Sequence, residues 1–190
     1  MAIIRDVGET LKKLIDSQEI PNLEKDGIIF DSPADITAAK DAKLSVYLYR
    51  IVENSNFRNV EPEPIGLDKM KPPPLTLDLY YLFTPFCKEI ATELIILEGL
   101  MQVLYDHSVL KGEILEDSLK DSGNNEIRII PNNFTFEETS KLWQGFPNKD
   151  FKLSVSYILS PVRVPSGKPI ATITRVIERN IGMHRLEVEK

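Results

Sequence analysis

An α+β fold, with a single layer of mixed, mainly antiparallel sheet flanked by helices, is predicted by three features of the sequence. Leu44–Val52 and Leu75–Thr84 both alternate apolar with more polar residues, the period-two pattern of strands with one buried face. A long apolar segment at helical spacing follows the second of them. The two strands succeed each other with no helix between, which favours antiparallel or mixed pairing over alternating βαβ units.

The elements follow in order. Ile4, Val7, Leu11 and Leu14 recur at spacings of three and four, so a first helix is expected over Ile3–Ser17, stopped by Pro21. A short strand around Gly27–Phe30 runs into the turn-rich Asp31–Asp35. Between the two long strands, Glu53–Pro74 carries Pro62, Pro64 and Pro72 to Pro74 with Asn54, Asn56 and Asn59. Prolines lack the amide that a ladder needs, so this stretch reads as an extended excursion, either a partner-contact loop or a plain connection. Thr84 and Pro85 have the chemistry to open the second helix. Ile90, Leu94, Leu97, Met101 and Leu104 form its apolar stripe, widened by Ile95, Ile96 and Val103, expected to lie flat on the sheet.

The helix ends in Tyr105–Ser108, and Lys111–Asn125 is polar and acidic before a strand over Glu126–Ile130. Thr135 and Glu138 have the spacing of a capping box, opening a short helix that carries Leu142, Trp143 and Phe146. Phe151–Pro161 alternates as a last long strand. Residues 1–161 are therefore read as one domain and 162–190 as a C-terminal tail, in which Pro169–Ile177 is strand-like through Ile170, Ile173, Val176 and Ile177.

Composition bounds the function. With 190 residues, 42% of them hydrophobic, the chain suits one domain with a true core. A net charge of -6 argues against a phosphate-binding surface, hence against nucleic acid as partner. A lone cysteine, Cys87, excludes an internal disulfide framework or a thiolate zinc site and reads as a small buried hydrophobe. No secretory signal is evident at Met1–Asp6, and Ile90–Leu104, broken by Glu93, Glu98 and Gly99, is too short and polar to span a bilayer.

Chemistry is equally sparse. The two histidines, His107 and His184, are far apart, and His107 follows a helix end, where imidazoles commonly meet free carbonyls. No Gly-x-Ser-x-Gly elbow, phosphate loop, His-Glu-x-x-His or calcium loop is present. Asp78, mid-strand among Leu77, Leu79 and Tyr80, shares the polar side with Thr76 and reads as solvated or subunit-facing rather than catalytic. Trp143 reads as a core anchor. No catalytic, cofactor or metal residue is assigned.

Seven segments taken in order carry a family signal: Ile3–Leu11, Phe30–Asp35, Leu44–Asn54, Leu77–Pro85, Met101–His107, Ile127–Pro131 and Ser140–Trp143. As a set they resemble the N-terminal domain of the tail-terminator, or cap, proteins of contractile injection systems. These are phage-tail-like particles of the antifeeding-prophage and virulence-cassette kind. The resemblance covers about Ile3 to Pro161. It implies a fold similar to phage tail terminators and a structural, non-enzymatic role, closing the tail tube and contractile sheath at the end distal to the baseplate. It further implies a homo-hexameric ring, tube and sheath proteins as partners, no cofactor, nucleic acid or membrane insertion, and cytoplasmic assembly into a releasable particle. Candidate interface residues are Ile170, Ile173, Val176 and Ile177, with Asp78. The alternatives are a non-catalytic ligand- or protein-binding module using the 53–74 loop with Tyr47, Tyr49 and Tyr80, and a hydrolase pairing His107 with Asp78.

Overall fold

The computed structural model describes residues 2–36, 43–147 and 149–172. The chain divides into two units, residues 1–59 with 74–165 and residues 60–73 with 166–190.

In the first unit, β1 (Ile28–Ile29), β2 (Lys43–Glu53), β5 (Leu75–Phe86), β6 (Val109–Lys111), β7 (Glu126–Pro131) and β8 (Val155–Val164) make one sheet. Its order is β1-β2-β5-β8-β7-β6, parallel only between β1 and β2. The helices are α1 (Ile3–Ser17), α2 (Ile90–Asp106), α3 (Asp117–Asp121) and α4 (Phe136–Gln144). The expected mixed, mainly antiparallel sheet flanked by helices is thus what the chain forms. In the second unit, β3 (Glu63–Ile65), β4 (Lys69–Lys71) and β9 (Ala171–Thr172) form a small antiparallel sheet, so the proline-rich excursion contains a hairpin. Residue 162, the expected start of the tail, lies within β8.

Strand β5 is the spine. It pairs with β2 from Leu77 to Phe86 and with β8 from Leu75 to Phe83. Leu77, Leu79, Tyr81 and Phe83 face a core shared with Val7, Leu11 and Leu14 of α1, Ile96, Leu100 and Leu104 of α2, and Leu119 of α3. Leu82 points the other way, to Trp143 and Phe146, with Tyr47, Tyr49, Phe134 and Leu142 around them. The helices therefore flank the sheet on both faces: α4 covers the second face, because β5 carries a large apolar residue there as well. Trp143 is the expected anchor, with its ring 5.4 Å from that of Phe146. The capping box forms too: Glu138 donates its amide to Thr135 Oγ1, and Thr135 donates its own to the Glu138 carboxylate.

One correction concerns Thr84 and Pro85, expected to start α2. The strand continues through both to Phe86, and α2 begins at Ile90. The ladder from β8 ends at Phe83, so Pro85 has a strand on one side only, a place where a residue without an amide proton is tolerated. Along Lys111–Asn125, read as polar and acidic, the short α3 appears with its Leu119 fully buried.

Polar groups tie these pieces together. Asn124 is buried, and its amide side chain both accepts from the backbone N–H of Arg163 at 2.7 Å and donates to that residue's carbonyl at 2.8 Å. It stands in for a strand residue where the β7 ladder on β8 has stopped at Ser160. Asp6 joins α1 to α3: its carboxylate accepts from Ser118 Oγ at 2.6 Å and from Arg5 at 2.8 Å. Beside it, Thr10 Oγ1 accepts from the Glu116 amide. On the outer edge of the sheet, β1 pairs with β2 only at Leu44 and Ser45. Among the described residues no strand covers the side of β2 away from β5 between Val46 and Glu53, and a bulge interrupts the β2–β5 register between Leu48 and Arg50.

The Ser118 hydroxyl, then the Arg5 guanidinium, hold the Asp6 carboxyl below its ordinary range. A carboxyl depressed in the folded state contributes stability that is full above its unfolded pKa, about 4, and is lost as pH falls through the folded value. Asp6→Asn is therefore expected to lower the unfolding midpoint at neutral pH. The wild type should approach the variant as pH falls below about 4, which thermal melts across an acid series would read; parallel curves would refute it.

Candidate interaction surface

The functional candidate is a surface, since the described residues bring no reactive set together. His107 caps the end of α2, its Nδ1 3.1 Å from the Val103 carbonyl. Asp78 sits where the β5–β8 register shifts, and its carboxylate accepts from Asn54 Nδ2 at 2.9 Å and from Ser160 Oγ. The two residues are engaged separately, each with its own partners, and His184 lies outside the described residues. A depression of about 440 Å³ gathers Arg5, Asp6, Glu9, Glu116, Asp117 and Ser118. Its Arg5 and Ser118 already donate to the Asp6 carboxylate. Among the described residues no group of three His, Cys, Asp or Glu is placed to hold a metal ion, and no helix is long and apolar enough to cross a membrane. Cys87 is half-buried ahead of α2, and burial pushes its thiol pKa up, away from reactivity.

The tyrosines of the ligand-module alternative are occupied in packing. Tyr47 meets Phe146 edge-on at 5.8 Å, and Tyr49 packs on Phe134 and on Tyr80. The Tyr49 hydroxyl is bonded to Ser156 and Asn132. In the second unit, the β3–β4 turn passes through Gly66, at φ +69°, and bares Leu67, 82% exposed. Of the candidate interface residues, Ile170 is exposed, just before β9. Ile173, Val176 and Ile177 lie outside the described residues.

The most informative surface is one that the sequence reading placed inside. On α2 the buried residues are Glu93, Ile96, Leu97, Leu100, Val103 and Leu104. Ile90, Leu94 and Met101, assigned to the core stripe, face outward with Tyr105, at 75, 50, 46 and 82% exposure, and Ile95 is exposed as well. Two contacts set this rotation. Glu93 turns inward, where its carboxylate pairs with Lys152 and accepts from the Cys87 amide at 3.1 Å. Gly99 lies against Ile20, where a Cβ would come within 3.0 Å of the Ile20 side chain. The two residues that looked like interruptions of the apolar pattern therefore decide which face goes down. A second apolar patch is formed by Phe136, 80% exposed at the start of α4, and Phe151, 51% exposed. Their rings are 6.3 Å apart, and Phe151 rests on Trp143 at 5.7 Å.

Comparison with known proteins gives this surface a context. The family described as the Pvc16 N-terminal domain matches residues 6–178. Among solved structures, the sheath/tube terminator of the PVC extracellular contractile injection system, in its extended state, superposes with a TM-score of 0.65 at 17% identity, over 95% of this chain and 65% of that one. The tube-terminating cap of the anti-feeding prophage superposes with a TM-score of 0.67 at 18% identity, over 93% of this chain and 60% of that one. The chain thus spans less than two thirds of the length of either structure. No curated protein matches it in sequence.

The two faces of α2 should respond differently to substitution. Leu100→Ala, at a fully buried position, is expected to cost about 2–5 kcal/mol. Leu94→Glu and Met101→Glu, on the outer face, should each change stability by about 0.5 kcal/mol or less. Urea unfolding of the three variants checks the assignment; equal losses at all three positions would reverse it.

Proposed function

The chain belongs to the Pvc16 N-terminal domain family, and on that ground we propose that it caps a contractile injection particle, terminating its tail tube and sheath. The observation that carries the reading is the match of nearly the whole chain to two terminator structures, together with the family match over residues 6–178. The chain acts as a homo-hexameric ring whose partners are the tube and sheath proteins, it catalyses nothing, and it joins the particle in the cytoplasm. The separate engagement of His107 and Asp78 supports the non-catalytic part of this reading.

The physical task suits such a scaffold. A tail built by head-to-tail contacts has an unsatisfied surface at its last ring and no intrinsic stop. A terminator matches that surface on one side and offers nothing to a further ring on the other. The rigid sheet, packed on both faces, holds the ring geometry. Beyond β9, which pairs with β4 of the same chain, the C-terminal segment with Ile173, Val176 and Ile177 acts as an arm that adds as a strand to a neighbouring subunit, through main-chain bonds and alternating side chains; Ile170 and Asp78 lie at the same interface. A second reading, a protein-binding module using the 53–74 loop, is favoured by one feature, the bared Leu67 at its turn.

Particles assembled without this protein, viewed by negative stain, should show sheaths of irregular length or frayed ends distal to the baseplate. Unaltered lengths and intact ends would overturn the cap reading. Removing residues 173–190 should weaken ring assembly, read by sedimentation; an unchanged oligomer would dismiss the arm.

A further inference from the structure

We draw no further inference here: the strongest candidate, the exposed apolar face of α2 formed by Ile90, Leu94, Met101 and Tyr105, is a surface patch for which nothing in the structure shows what covers it.

Discussion

The burial of strand β5 from both sides governs the rest of the molecule. Hydrogen-bonded to β2 and β8, it offers Leu77, Leu79, Tyr81 and Phe83 to one face and Leu82 to the other. A strand apolar on both faces must be covered twice. That need recruits α1, α2 and α3 on one side and α4 with its Trp143 on the other. The covers of the first face are then fixed by short polar clamps, Asp6 to Ser118 between α1 and α3 and Glu93 to Lys152 for α2, and Asn124 binds the Arg163 backbone beside β8. Apolar burial supplies the attraction, and these directional bonds choose one arrangement among several that would bury similar area.

Much of this was legible in the sequence. Helix α1 has apolar residues on one side and charged residues on the other, so its extent matched at both ends. Strands β2 and β5 alternate cleanly enough to be recognised, and Thr135 and Glu138 announced α4 because a capping box needs only two residues at fixed spacing. What failed did so for identifiable reasons. Helix α2 is apolar almost all round, so spacing alone could not distinguish the face with Leu100 from the face with Leu94. The choice was made by a small residue pressed against Ile20 and by an acid whose partner is 59 positions away. Neither tertiary contact leaves a local signal.

The same limit explains the site. A reactive centre betrays itself by residue types at set spacings, whereas an exposed apolar surface is recognised only by what stays outside after folding. Ile90, Met101, Phe136 and Phe151 look like core residues in a string of letters. Only the packed fold reveals that the core is complete without them, and the short α3 and β6 were missed for the related reason that elements of three to five residues carry too little periodicity to read.

The brevity of β1 carries a last consequence. By pairing with just two residues of β2, it leaves, among the described residues, a row of main-chain donors and acceptors along the sheet margin, the usual template for ribbons in which identical chains zip together without limit. The kink near Tyr49 and the charges of Arg50 and Glu53 spoil that template. Under the proposed capping role, a chain that halts the growth of one polymer is thereby kept from seeding another of its own.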